Sequence, residues 1–183
     1  IARRQRQMCI RDRWSTAQIS RELKVQLEEE FGEIPSKLKL INCVGGGSSA
    51  YGFWSEFIDY NKNQVELIGV EAGGPSNSKL HAAPLSKNSK IGVLHGAAAY
   101  CVQNSDGQIN ETESISSGLD YPSVSPIHCL LKDTGRARYT YATDEESLDA
   151  YKLITEPVSY THLRAHETEA DHLCRLLLEK KNE

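Results

Sequence analysis

The sequence has no apolar run approaching the roughly 18 residues that a membrane-spanning helix needs, and its mean hydropathy is −0.49. Its basic start is not followed by the apolar stretch of a secretory signal, so the expected partners include no membrane and the expected compartment is the cytoplasm. Cysteine is sparse and scattered. Cys9, Cys43, Cys101, Cys129 and Cys174 are odd in number and form no C-x-x-C pair, which argues against a disulfide framework or a four-cysteine zinc site. Aromatic residues make up only 7% of the chain. There is also no surplus of positive charge. The net charge is −4, yet residues 1–13 hold five arginines and one aspartate, and residues 157–183 hold four basic and five acidic residues. Residues 14–156 therefore keep 12 basic and 19 acidic side chains, a net of −7 that repels a phosphate backbone and makes nucleic acid a poor partner.

What is present suits one domain. The 183 residues are 39% hydrophobic and 25% charged, enough to bury a core. Ile19, Leu23, Leu27 and Phe31 recur every four residues among charged neighbours and predict an amphipathic helix over residues 19–31, ended by Gly32 and Pro35. Residues 38–44 have strand length and character. Tyr51, Trp54, Phe57 and Ile58 then follow at helical spacing within residues 50–60, and residues 65–70 form a second strand that Glu71-Ala72-Gly73-Gly74-Pro75 breaks. Residues 38–71 thus make a strand–helix–strand unit of the length expected of a right-handed parallel crossover. The fold class is α/β, with a mainly parallel sheet flanked by helices.

Further on, residues 79–90 are polar and loop-like, and residues 91–99 begin a strand or a helix with small, closely packing side chains. Ser105-Asp106-Gly107 signals a turn, and residues 114–126, rich in Ser, Gly and Pro, form a loop. A strand is expected at residues 139–143. Thr143-Asp144-Glu145-Glu146 reads as a capping box with Thr143 or Asp144 as N-cap, so these acids are caps rather than an acid–base pair.

Between the first strand and the next helix stands Gly45-Gly46-Gly47-Ser48-Ser49. Glycine allows close approach of the backbone, a helix N-terminus favours negative charge, and the Ser48 and Ser49 hydroxyls can donate, so a phosphate monoester fits. The order is neither G-x-G-x-x-G nor a P-loop, which has a Lys before its Ser. Spacing alone leaves open a tight strand-to-helix turn that binds nothing. Other constellations point to packing or solvent. His162, His166, His172 and Cys174 lack metal-site spacing and suit a solvated amphipathic helix, His95 and His128 suit packing or loop positions, and Trp14 and Trp54 suit core or helix-face positions.

The wording of several segments is recognisable. Residues 43–50 (CVGGGSSA), 67–74 (LIGVEAGG), 81–85 (HAAPL), 92–96 (GVLHG), 106–109 (DGQI), 114–122 (SISSGLDYP), 135–137 (GRA) and 142–146 (ATDEE) together resemble the tryptophan synthase β chain, in order and spacing, over about residues 19–156. The resemblance implies the later half of a fold-type-II pyridoxal-phosphate enzyme, a lyase of tryptophan biosynthesis that joins L-serine and indole by β-replacement. It implies that Gly45, Gly46, Gly47, Ser48 and Ser49 bind the phosphate of pyridoxal 5′-phosphate, although the family usually has Asn at Ser49. It further implies that Asp120 helps close the site, and that a monovalent cation (Na or K) sits on the backbone carbonyls of Gly45, Tyr121 and Ser123. A second β chain and the α chain are the implied partners of the intact parent. Gly96-Ala97-Ala98 and Ser125-Pro126-Ile127 depart from the family pattern.

The family keeps its Schiff-base lysine upstream of the glycine loop, and nothing in the residues before Leu38 resembles that segment. Lys87 lies in a polar loop without the apolar enclosure that such a lysine needs, so the chain by itself is expected to be inactive. Residues 1–13 and 157–183 fall outside the resemblance and read like translated sequencing adapter, which leaves residues 14–156 as the partial enzyme domain. With half the parent absent, an uncovered sheet edge and poor solubility are expected. The alternative class is a non-catalytic α/β module that binds phosphate or a small ligand.

Overall fold

The computed structural model describes residues 2–155 apart from Asn88, with side chains from residue 14 onward. The order of elements is α1 (Ala2–Phe31), β1 (Leu38–Cys43), α2 (Ser48–Trp54), β2 (Val65–Ala72), β3 (Lys90–Leu94), β4 (Ala97–Cys101), α3 (Pro126–Asp133), β5 (Ala137–Ala142) and α4 (Asp144–Thr155). Strands β1, β2 and β5 form a three-stranded parallel sheet with β2 in the centre. The register pairs Leu38 with Val65 and Leu67 with Ala137, so all three strands start at one end of the sheet. The expected α/β class and parallel crossover are what the chain forms.

The alternation along β2 distributes the core. Val65 and Leu67 enter one apolar cluster with Leu40, Val44, Trp54, Phe57 and Leu131, beneath α2 and α3. Ile68 and Val70 enter a second with Cys43, Ala142 and Ala150, beneath α4. Period-two alternation on a sheet covered on both sides gives this division. Gly69 lies on the first face, where a Cβ would stand 2.6 Å from the Tyr139 ring, so its lack of a side chain makes room for that ring.

Three local expectations are corrected, and at residues 91–99 the strand alternative is the one the chain forms. Helix α1 starts at Ala2, 17 residues before the expected Ile19, and only part of its expected stripe is buried. Leu23 and Leu27 pack on the core, while Ile19 and Phe31 are exposed and Ala17 and Ser20 are buried instead. A strict four-residue spacing drifts by about 40° per step on a helix of 3.6 residues per turn, so Ile19 and Phe31 point roughly 120° apart. Helix α2 ends at Trp54 rather than reaching Tyr60. The chain continues in tighter turns, with Ser55 N donating to Gly52 O, Phe57 N to Trp54 O and Tyr60 N to Phe57 O. Strand β2 runs through Glu71 to Ala72, so the break falls at Gly73. Residues 90–101 form an antiparallel hairpin. Its two-residue turn has His95 at φ 51° and Gly96 at φ 79°, the left-handed pair of a type I′ turn.

Two local readings match the structure. The turn at residues 105–107 is held by the Asn104 carboxamide oxygen, which accepts from Asp106 N and Gln108 N at 3.0 and 2.9 Å. The capping box closes both ways: Glu146 N donates to Thr143 Oγ1 at 3.2 Å and Thr143 N to Glu146 Oε2 at 2.9 Å. Glu145 instead receives Ser76 N and Oγ, and Asp144 receives Ile115 N, so the same acidic turn also anchors two loops. Among the described residues no helix is long and apolar enough to cross a membrane.

Candidate functional site

The glycine loop leaves the C-terminal end of β1, where Val44 N still donates to Val70 O at 2.8 Å. Gly47 is the N-cap of α2 with φ 91°, a left-handed conformation that glycine adopts without strain. The first bond of the helical turn runs from Tyr51 N to Gly47 O at 3.0 Å. The amides of Ser48, Ser49 and Ala50 precede it and have no partner within the helix, as at any helix start. The N-cap supplies no side-chain bond to them. Gly46 and Ser49 are exposed and Ser48 is half-buried, so the loop is open to solvent on one side.

The other side of the loop is packed. A Cβ on Gly45 would stand 3.2 Å from Gly118 O and Leu119 Cα, and Ser125 N donates to Gly46 O at 2.9 Å. Residues 118–125 are therefore pinned to the glycine loop at both ends. This span carries Asp120, Tyr121 and Ser123. Asp120 is exposed and directly follows the contact on Gly45. Tyr121 pairs its hydroxyl with His95 Nδ1 at 2.8 Å and stacks on that ring, while the buried Ser123 hydroxyl donates to Tyr100 O at 3.1 Å. The folded chain thus brings every residue expected at the site to one end of the sheet.

Two buried groups at this end of the sheet, one of them behind the loop, have no contiguous signal in the sequence. His128 is fully buried on α3, with Nε2 2.6 Å from Gly47 O and Nδ1 2.8 Å from the Tyr139 hydroxyl. A carbonyl can only accept, so Nε2 carries a proton and donates to Gly47 O, while Nδ1 pairs with the Tyr139 hydroxyl. Trp54 packs against the same ring edge-on at 5.6 Å. His128 is a packing histidine, as its sequence position suggested, and its packing partner is the loop itself.

The second group is Glu71, at the end of β2. Its buried carboxylate accepts from Leu85 N at 3.0 Å, Ser86 N at 2.7 Å and Ser86 Oγ at 2.6 Å. Burial raises its pKa to about 7, opposed by these hydrogen bonds and by Lys132. Burial also raises the pKa of the Tyr139 phenol, and the Glu71 charge adds to that effect. No spacing rule points to either group, because their partners lie on distant segments.

No protein-family model matches the chain. The tryptophan synthase beta chain of Bacillus pumilus (strain SAFR-032) is 48% identical to it over 139 residues. The chain is a partial match to the tryptophan synthase beta chain. The aligned region covers 75% of this chain and 33% of that relative, so this chain spans about a third of the relative's length. At that identity and extent, the match to the tryptophan synthase beta chain reaches well beyond the glycine loop, and the α/β architecture agrees with part of a fold-type-II pyridoxal-phosphate enzyme. Among the described residues no group of three or more His, Cys, Asp or Glu could hold a metal ion. The residues weighed for metal near the C-terminus, His162, His166, His172 and Cys174, lie outside the described residues.

Proposed function

We propose that the glycine loop holds the phosphate of pyridoxal 5′-phosphate, in a chain that is part of a tryptophan synthase β-type enzyme making L-tryptophan from L-serine and indole. The observation that carries this reading is the loop's construction. Gly47 turns left-handed at the helix start, the amides of Ser48, Ser49 and Ala50 stand ahead of the first helical bond, and the side facing solvent is open. Such a cluster of N–H groups suits a dianion, and the partial match to a tryptophan synthase beta chain supports pyridoxal phosphate as the molecule that carries it. Gly45, Gly46, Gly47, Ser48 and Ser49 bind the phosphate, with the exposed Ser49 hydroxyl the weaker contact.

When bound, pyridoxal phosphate supplies an electron sink for carbanion chemistry. The chain's own residues position it. His128 and Trp54 brace the loop from behind, and residues 118–125 flank it, with Asp120 placed to close over substrate. The carbonyls of Gly45, Tyr121 and Ser123 hold a monovalent cation, Na or K, where that flanking segment meets the loop. The α chain and a second β chain are partners of the intact enzyme, and the cytoplasm is its compartment.

The isolated chain is inactive in this reading. Lys87 is engaged elsewhere: its Nζ donates to Gly73 O at 2.9 Å and lies 4.5 Å from the centre of the Tyr141 ring. Titration of the full chain with pyridoxal 5′-phosphate and with pyridoxal, followed by thermal unfolding, tests both statements. Only the phosphorylated form should raise the melting temperature. Gly46→Asp, which meets nothing within 4 Å of its Cβ, should abolish the effect by charge without disturbing the fold. Equal stabilisation by pyridoxal would refute the phosphate role, and borohydride fixation of the cofactor onto Lys87 would refute the inactivity.

A further inference from the structure

At the end of the sheet away from the glycine loop, the starts of the strands enclose a cavity of about 450 Å³. Its lining includes Lys37 and Lys39 from the start of β1, Lys62 from the turn before β2, and Arg136 and Arg138 from the start of β5. Five of the 12 basic side chains in residues 14–156 therefore meet at one place, within a body of net charge −7. Nothing in the local sequence announces this, because the five come from three separate segments joined only by the parallel register.

The cations are not interchangeable. Arg136 is a fixed post: its guanidinium donates to the carbonyls of Phe57, Ile58 and Val65 at 2.7, 2.6 and 3.1 Å, with the Asp59 charge nearby. Arg138 pairs with Glu66, the one carboxylate of the lining, at 3.2 Å. Among the described residues, Lys37, Lys39 and Lys62 take part in no ion pair. Three exposed lysines without an ion-pair partner thus line a cavity whose only acid is already engaged. Lys37 has φ 65°, a backbone conformation disfavoured for any residue with a side chain.

We propose that this basal cavity binds a compact polyphosphate anion, a diphosphate group either free or carried on a small molecule. The volume falls in the range of small-ligand sites. Ammonium groups act on phosphate as mobile point charges, and three of them around one cavity match two adjoining phosphates better than a single carboxylate. The overall negative charge of residues 14–156 disfavours a nucleic-acid strand, which would have to run beyond the cavity along an acidic surface. The site is separate from the glycine loop. Strand β1 has six residues, which places the two about 20 Å apart along the sheet.

The test is calorimetric titration of the full chain with inorganic pyrophosphate at low ionic strength, with the fold of each variant checked by circular dichroism. Binding should saturate at one equivalent beyond any uptake at the glycine loop, which is blocked beforehand by saturating pyridoxal 5′-phosphate. Lys39→Glu with Lys62→Glu should weaken it by roughly tenfold or more, as expected when buffered surface charges are reversed rather than removed. Lys79→Glu with Lys152→Glu makes the same change in net charge away from the cavity and should leave affinity within about twofold. Lys62→Gln, in an exposed turn, carries the test if the double variant does not fold. The proposal is overturned if the two double variants lose affinity equally, if pyridoxal 5′-phosphate abolishes all uptake, or if a single-stranded oligonucleotide binds more tightly than pyrophosphate.

Discussion

Alanine at Gly47 should destabilise the fold, while alanine at Gly46, one residue away, should not. At Gly47 the backbone has φ 91°, and a Cβ there would stand 2.5 Å from His128 Nε2 and closer still to Cδ2. The ring has nowhere to go. It is fully buried, Trp54 abuts it edge-on, and Tyr139 holds its far nitrogen. The left-handed backbone costs an alanine about 1–2 kcal/mol. Displacing the ring leaves Gly47 O, the imidazole or the Tyr139 hydroxyl unsatisfied, for about 1–3 kcal/mol more. Gly47→Ala should therefore lose roughly 2–5 kcal/mol, and at about 2–4 °C per kcal/mol for a domain of this size the melting temperature should drop by roughly 5–20 °C. Gly46 has neither a positive φ nor an atom within 4 Å of its Cβ, so Gly46→Ala should be neutral or stabilise by about 0.4–1 kcal/mol through the unfolded chain. Urea unfolding followed by far-ultraviolet circular dichroism measures both. Values within about 0.5 kcal/mol of each other would refute the packing of His128 beneath the loop.

Glu71 makes stability pH-dependent in a direction opposite to most carboxylates. Its folded pKa, near 7, lies above the ordinary 4.5, so its contribution is fully present below 4.5 and is lost as pH rises through 7. The full loss is about 3 kcal/mol, and Glu71→Gln should flatten that part of the stability profile between pH 5 and 8; an unchanged slope would count against burial of the charge. Thr143→Ala should cost about 1 kcal/mol by removing one half of the capping box, and a double-mutant cycle with Glu146→Ala should show the two losses to be coupled. Lys37→Gly should raise stability by up to about 1 kcal/mol by relieving the left-handed backbone while weakening pyrophosphate binding, a divergence that a purely structural Lys37 would not show.

The parts of the fold legible in the sequence are those set by short-range patterns. The apolar runs at β1 and β2, the glycine break between β1 and α2, and the reciprocal Thr143–Glu146 cap each depend on residues within a few positions of one another. The buried face of α1 was not legible, because four-residue spacing approximates the helical period over one step and fails over three. Nor was the hairpin of β3 and β4, since His95 takes a left-handed turn position more often held by asparagine or glycine. Glu71 looked like part of a strand break because a charge rarely sits inside a central strand. What makes it tolerable is the pair of amides at Leu85 and Ser86, 14 and 15 residues away, and sequence distance hides that partnership.

The candidate site is contiguous in the sequence, while the residues that support it are not. The glycine loop is a run of neighbouring residues at one strand end, so its signal is contiguous. Its rigidity needs His128 on α3 and Tyr139 on β5, which come to Gly47 only after β5 has aligned on β2 with Gly69 opposite Tyr139. Parallel pairing then fixes the polarity of the whole sheet. Every segment that follows a strand of the sheet, including the glycine loop, the Glu71 clamp and the acidic cap of α4, falls at one end. Every segment that precedes a strand falls at the other, which collects Lys37, Lys62 and Arg136. The separation of an open amide cluster from a basic cavity is thus a consequence of strand direction. A substitution that slipped β5 by one residue against β2 would turn Tyr139 to the opposite face, disturbing the glycine loop and the basal cavity together.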